Sequence, residues 1–403
     1  MKVLITTDWY TPAVNGVVSS VLNLRRELQA MGHEVRVLTL SQSDVSYESD
    51  GVTYLASVSA GKIYPGARVR VGNAERYVRR LEAWGPEIVH SQCEFSTFGL
   101  ARRIARRLHV PLVHTYHTVY ENYTHYFSPS KRWGRRAVQL FTCAVAGQVD
   151  CMIAPTAKVE ALLRGYGVRC PVAVVPSGID LRPFAAPVDA ARLQTLRRTL
   201  GLDPESLVLV TVGRLAKEKN HGELLEALAA LPGAARSRVQ LLIVGGGPCR
   251  RQLERKAALL GLGGRAVFAG MVPPAQVALY YRLGDLFVSA SQSETQGLTY
   301  AEALASGLPA LCRRDACLAG VVQNGVNGWQ YDTAAEFCRY VRAFAADEAL
   351  RRRMALAARQ SAAEFSAPVF ARRAAAVYEQ QCAAAARVAH PGAAAVRVLP
   401  EAL

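Results

Sequence analysis

The sequence predicts an α/β protein built from two Rossmann-like, doubly wound domains, each a parallel sheet with helices on both faces. Three observations carry that expectation. Short apolar runs alternate with amphipathic stretches along nearly the whole chain. The alternation pauses once, at the proline-bearing segment 176–187, and then restarts. With 403 residues, 51% of them hydrophobic, the chain is long enough to bury two or three separate cores.

In chain order, residues 3–6, 35–40, 88–90, 112–115, 152–154 and 172–175 read as strands, because each is a short apolar run of the kind buried in parallel sheets. Helical patterns fall between them at 18–31, 74–84, 97–108 and 138–149. Beyond the connector, strands are expected at 207–212, 239–244, 266–269, 286–289 and 310–312, and a last helix at 368–385. The domains are therefore set at 1–180 and 181–366. A C-terminal helix at 367–389 is expected to pack back on the first domain, followed by a flexible Ala-rich tail at 390–403. Open parallel sheets bind ligands at the carboxyl ends of their strands, so the expected site is an interdomain cleft fed by the loops that follow those strands.

Composition narrows the class. The apolar content argues against disorder. Nine scattered cysteines, an odd number with no CxxC, argue against a disulfide framework or a zinc site and for a reducing compartment. The opening MKVLITTDWYTP reads as a strand entering a loop, not as a signal peptide. The charge-free apolar stretch 137–149 has 13 residues, where a bilayer span needs roughly 20. Basic residues outnumber acidic ones by 48 to 32, a net charge of +16. Residues 61–140 hold fourteen basic and five acidic side chains, an excess suited to an anionic surface such as lipid or nucleic acid. No RNA- or DNA-binding module is recognisable, so no specific nucleic-acid partner is expected.

The chemistry lies in loops. Asp8 to Gly16 leads into a helix whose N-terminus, at Gly16, would let a phosphate approach backbone N–H groups. Strand 207–212 ends in Gly213-Arg214 and, five residues on, Lys219: a planar fork and a point charge that together suit a diphosphate. Gly245-Gly-Gly-Pro248 suggests a dinucleotide loop, but Arg250 stands where the third spaced glycine is needed. After strand 286–289 come Glu294 in a loop, Gly297 and Leu298 at a helix start, and Glu302 within that helix. This segment offers carboxylates for sugar hydroxyls and backbone donors for phosphate.

Together, Gly-Arg…Lys at 213–219 and the E-x7-E spacing of Glu294 and Glu302 resemble glycosyltransferase family 4, whose members adopt the GT-B fold. The resemblance covers roughly residues 1–385. It implies a nucleoside-diphosphate sugar held mainly by the C-terminal domain, with Arg214 and Lys219 on the diphosphate and Glu302 on the ribose. Glu294 and the Gly297–Leu298 backbone would take the sugar, and Gly16 would approach the distal phosphate. The family's functional histidine maps to His117, near the sugar's C6 hydroxyl. The run from Tyr116 through Tyr120, Tyr123, His125 and Tyr126, with 295–300 and 317–321, further resembles bacterial 1,2-diacylglycerol 3-glucosyltransferases, although Ala316 stands where those enzymes carry an acid. That resemblance implies a retaining hexosyltransferase moving glucose from UDP-glucose to diacylglycerol at the membrane surface. With no Asp-x-Asp in the chain, no cofactor and no protein metal site are expected, so any Mg2+ stimulation would come without one. No carboxylate near His117 in sequence is placed as a nucleophile.

Two segments mix cations with aromatic residues as an interfacial helix does. One holds Arg76, Arg79 and Arg80, the other Lys131, Arg132, Trp133, Arg135 and Arg136. Arg102, Arg103, Arg106 and Arg107 read more readily as a solvated helix face than as a lipid contact. The expected location is cytoplasmic and peripheral, on the inner face of the cell membrane. Other acceptors stay open (phosphatidylinositol, a polyprenyl-linked sugar, a soluble thiol precursor), as do a nucleotide-sugar epimerase and a non-enzymatic basic binding protein.

Overall fold

The computed structural model describes residues 1–61, 66–121, 130–233 and 237–389. The chain divides into two compact units, Met1–Pro176 with Phe370–Leu403, and Ser177–Val369.

In the first unit eight strands form one sheet in the order β10-β9-β8-β7-β1-β2-β4-β3. They are β1 (Lys2–Thr6), β2 (Glu34–Leu40), β3 (Tyr47–Ser49), β4 (Val52–Leu55), β7 (Ile88–Ser91), β8 (Leu112–Thr115), β9 (Cys151–Ala154) and β10 (Val172–Val174). Only β3 runs antiparallel to its neighbour. A small antiparallel pair, β5 (Ser57–Ser59) with β6 (Arg68–Arg70), stands apart. Helices α1 (Gly16–Ala30), α2 (Glu75–Trp84), α3 (Phe98–Leu108), α4 (Lys131–Ala146) and α5 (Ala157–Tyr166) supply the crossovers. The central strands are wholly buried because helices cover both faces of the sheet.

In the second unit six strands, all parallel, run in the order β13-β12-β11-β14-β15-β16. They are β11 (Leu207–Val212), β12 (Val239–Val244), β13 (Ala266–Gly270), β14 (Leu286–Ser289), β15 (Ala310–Arg313) and β16 (Gly328–Tyr331). Their helices are α6 (Arg182–Ala185), α7 (Ala190–Thr199), α8 (His221–Ala229), α9 (Arg250–Leu259), α10 (Val277–Tyr281), α11 (Leu298–Ala305), α12 (Ala334–Ala346) and α13 (Glu348–Ala362). The segment read as a bare connector thus carries a short helix, α6, started by the proline at its second position.

The last helix, α14 (Ala367–Ala389), begins against the second unit, where the Ala367 amide donates to the Ile179 carbonyl. It then buries Phe370, Ala371, Ala374, Ala375 and Tyr378 beside Val3, Ile5, Val21 and Leu24 of the first. One sequence assignment is corrected: α4 starts at Lys131 and ends at Ala146, so the basic Lys131–Arg136 segment is its first turns. Among the described residues, no helix is long and apolar enough to cross a membrane. All nine cysteines are free thiols.

Candidate active site

Each sheet has one point where successive crossovers leave in opposite directions: between β1 and β7 in the first unit and between β11 and β14 in the second. At such a point the flanking loops diverge and leave a crevice beyond the strand ends.

In the second unit, the loops after β11 and β14 bring two of the predicted residues, Lys219 and Glu294, together. Lys219 Nζ donates to Glu294 Oε1 at 2.5 Å. Ser293 Oγ, next to Glu294, donates to the Glu218 carbonyl at 3.1 Å, joining the same two loops a second time. Gly297 is the N-cap of α11 with φ 75°, and no side chain caps the helix. A Cβ there would collide with the Tyr300 ring, so both conformation and space call for glycine. Leu298 opens the helix, and its first N–H groups lack intrahelical partners. Glu302 lies one turn in and accepts from Tyr281 Oη at 2.8 Å. Its pKa is raised because burial disfavours the charged form, with the Tyr281 hydrogen bond acting against that. His221, at the start of α8, is buried; desolvation and then the Lys219 charge push its pKa down to about 4.

The Gly245–Gly247 triplet has a packing reason. A Cβ at Gly245 would strike the Gly213 carbonyl oxygen, and one at Gly247 the Leu215 carbonyl oxygen. Leu215 N donates to Gly246 O at 2.8 Å and Gly213 N to Val244 O at 2.9 Å, so the triplet braces the loop that carries Arg214.

In the first unit, the β1, β7 and β8 loops build a second polar cluster. Asp8 Oδ1 accepts from Thr97 N at 2.8 Å and Oδ2 from Ser96 N at 3.1 Å, and burial raises its pKa to about 6. His117 lies in the loop after β8, its Nε2 2.6 Å from Gln92 Oε1. Desolvation lowers the His117 pKa to about 4. A carboxylate distant from His117 in sequence stands close to it in the fold. Glu94 follows β7, the sheet neighbour of β8, and its charge acts on His117. Both Glu94 oxygens are engaged, one by His114 Nε2 at 3.2 Å and the other by Tyr120 Oη at 2.5 Å. Gly16 is the first residue of α1, whose Val18 amide is capped by Asn15 Oδ1 at 3.0 Å.

Beside Glu94 is an aromatic cluster. Phe95, 57% exposed, packs against Phe141 and Tyr120 with ring centroids 6.0 Å apart in both cases. Leu140 and Trp133 on the same helix as Phe141 are also exposed. Of the predicted lipid-facing cations, Arg79 pairs with Glu75 (3.0 Å), Arg80 with Glu48 (2.9 Å) and Arg135 with Glu121 (3.0 Å). Arg76 and Arg132 are exposed, and Arg136 donates to Gln139. Arg103 pairs with Glu75 and Arg107 with Glu82, so α3 is bound to α2 and is not a purely solvated face. Tyr123, His125, Tyr126 and the Lys131 side chain lie outside the described residues. Among the described residues there is no group of three or more His, Cys, Asp or Glu able to hold a metal ion.

Asp8, Gln92, Glu94 and His221 were not singled out from sequence. The available signal was position: Gln92 and Glu94 immediately follow an apolar run at a switch point.

Residues 14–182 match the family described as Glycosyltransferase Family 4, and residues 194–361 match Glycosyl transferases group 1. The alpha-monoglucosyldiacylglycerol synthase of Streptococcus pneumoniae is 34% identical over 333 residues, covering 82% of this chain and 75% of that protein. The enzyme of the same name from Acholeplasma laidlawii is 33% identical over 349 residues, covering 85% and 87%. The Anabaena protein HepE, solved in complex with UDP, shares the fold with a TM-score of 0.73 at 17% identity, over 94% of this chain and 100% of that one.

Proposed function

The chain is a glycosyltransferase belonging to family 4, with the GT-B fold, and on that premise we propose that it moves glucose from UDP-glucose to the 3-hydroxyl of 1,2-diacylglycerol with retention of configuration. The observation that carries the reading is the meeting of Lys219, Glu294 and the uncapped start of α11 at the switch point of the second sheet. The relatives named for monoglucosyldiacylglycerol support the acceptor. So do the exposed Phe95 and Phe141 rings, packed on half-buried Tyr120, which suit the apolar part of a lipid.

In this reading Arg214 and Lys219 neutralise the charge that develops on the departing diphosphate, and the first N–H groups of α11, at Leu298, add fixed dipoles. Gly213 lets the backbone approach the same group, and Gly16 approaches the distal phosphate. Glu302, presented by Tyr281, takes the ribose hydroxyls. Glu294 takes hydroxyls of the sugar, leaving Lys219 to the phosphate, and His117 meets the C6 hydroxyl. Glu94 and Asp8, the carboxylates described in this cluster, are each engaged by two donors, which favours a route without the covalent intermediate of a double displacement. The 3-hydroxyl then attacks on the face the diphosphate leaves, and a departing phosphate oxygen takes its proton. Lipid-facing cations on α2 and α4 hold the enzyme on the anionic inner leaflet as a peripheral protein.

The test is direct. Purified protein is incubated with radiolabelled UDP-glucose, UDP-galactose or GDP-mannose and vesicles of diacylglycerol or phosphatidylinositol, and the lipids are analysed. α-Glucosyl diacylglycerol from UDP-glucose is the expected product. Preferential labelling of phosphatidylinositol, or of no lipid at all, would overturn the acceptor assignment.

A further inference from the structure

Behind His117 a chain of buried hydrogen bonds runs to the C-terminal helix. His117 Nε2 faces Gln92 Oε1 at 2.6 Å. Gln92 Nε2 lies 3.1 Å from each ring nitrogen of His90. His90 Nδ1 is 2.6 Å from Tyr378 Oη on α14, and His90 Nε2 is 2.7 Å from Thr115 Oγ1. His90, Gln92, Thr115 and Tyr378 are all buried.

The chemistry of these groups decides where the protons sit. Burial keeps His90 neutral, so its ring carries a single N–H, and hydroxyls already occupy both of its nitrogens. Gln92 Nε2, equally far from both ring nitrogens, lies over the ring face, where an N–H group meets the π electrons favourably, whereas turning the carboxamide over would set carbonyl lone pairs against that face. The carbonyl therefore faces His117. A carbonyl oxygen only accepts, so His117 Nε2 bears the proton, and in a neutral imidazole Nδ1 is then an acceptor.

We propose that Gln92 is a positioning residue that locks His117 in the Nε2–H tautomer, so that Nδ1 accepts from a sugar hydroxyl and excludes sugars carrying a carboxylate at that position. Tyr378 and Thr115 hold His90, His90 orients the amide of Gln92, and Gln92 sets the ring proton of His117. The specificity part rests on the proposed sugar-facing role of His117; the tautomer does not. A hydroxyl can turn its proton to Nδ1. A carboxylate offers only lone pairs, and two buried acceptors facing each other leave both unsatisfied. UDP-glucose is thereby favoured over UDP-glucuronate.

Long-range 1H–15N correlation on histidine-labelled full-chain protein, free of ligand at pH 7, reads the tautomer without any turnover. The wild type is expected to show His117 protonated at Nε2 alone, and Gln92→Leu to show loss of that pure tautomer. An Nδ1–H signal for His117 in the wild type overturns the proposal even if no variant folds, and so does an unchanged pattern in a folded Gln92→Leu. In turnover, Gln92→Leu should lower kcat/KM for UDP-glucose by about 10- to 100-fold, the usual effect of losing a partner that orients a functional histidine. Gln92→Glu keeps an acceptor but adds a charge that draws a second proton onto His117. It should narrow the preference for UDP-glucose over UDP-glucuronate by at least about tenfold, on the scale of one desolvated hydrogen bond. An unaltered preference with His117 doubly protonated would remove the specificity assignment. Wild-type protein with the Nε2–H tautomer but no glucosyl transfer would count against the proposed function and leave the positioning role standing.

Discussion

Lys219 and Glu294 pair across 2.5 Å while mostly withdrawn from solvent, so removing either side chain takes a close counter-charge from the other. Lys219→Ala and Arg214→Ala are each expected to lower kcat with UDP-glucose by about 10²–10³-fold, roughly 3–4 kcal/mol of transition-state stabilisation. Unchanged turnover in either variant would refute its diphosphate role. Gly297→Ala tests the start of α11 differently. With φ at 75° and the Tyr300 ring in the way, the added methyl must displace backbone or ring. The expected result is about 1–3 kcal/mol of lost stability, read by chemical denaturation, with a raised KM for UDP-glucose.

Helix α4 shows how a single element combines opposed demands. Val138, Val145 and Ala146 are buried in the first unit's core, whereas Trp133, Leu140 and Phe141 stay exposed on the same helix. Replacing Arg132, Arg135 and Arg136 together by Gln should weaken binding to phosphatidylglycerol vesicles by about 1 kcal/mol per cation, measured by co-sedimentation. Equal wild-type binding to neutral and anionic vesicles would reject electrostatic attachment. Parallel strands such as β8, β11, β12 and β14 were legible to the residue, because burial on both faces demands a continuous apolar run. Strands β3, β5 and β6 were not, being three-residue pairings of largely exposed chain. The start of α4 fell outside the helix assigned at 138–149 because Lys131–Arg136 offers a single apolar side chain, Trp133, beside Gly134, and so shows cations and an aromatic but no apolar periodicity. The same logic applies to the site. Arg214, Lys219, Glu294 and Glu302 stand in two compact segments with recognisable spacing. The Gln92 and Glu94 contacts depend on which strands lie side by side, and His90 meets a tyrosine 288 positions away. No local pattern encodes such a meeting.

At the level of the molecule, histidines buried neutral make stability depend on pH. His221 has a folded pKa of about 4 against an ordinary 6.5. Between those values the unfolded chain binds the proton and the folded one does not, so the stability His221 contributes is present above pH 6.5 and is lost as pH falls towards 4. His117, also at about 4, acts in the same sense. Asp8 acts oppositely: its contribution is full below 3.8 and disappears as pH rises through about 6. His221→Gln should therefore flatten the acid limb of the second unit's unfolding curve by up to about 1.4 kcal/mol per pH unit, as followed by calorimetry from pH 7 to 4.5. The placement of α14 adds a constraint in time. Phe370 and Tyr378, sealed against Val3, Ile5 and Val21, leave the ribosome only after all of Ser177–Val369 has been made. At ~5–20 residues per second, the nascent amino-terminal lobe waits roughly 10–40 s with one apolar flank uncovered. A fragment halted at Pro176 should accordingly bind a hydrophobic dye and precipitate, and a synthetic peptide of residues 367–389 supplied in trans should rescue it.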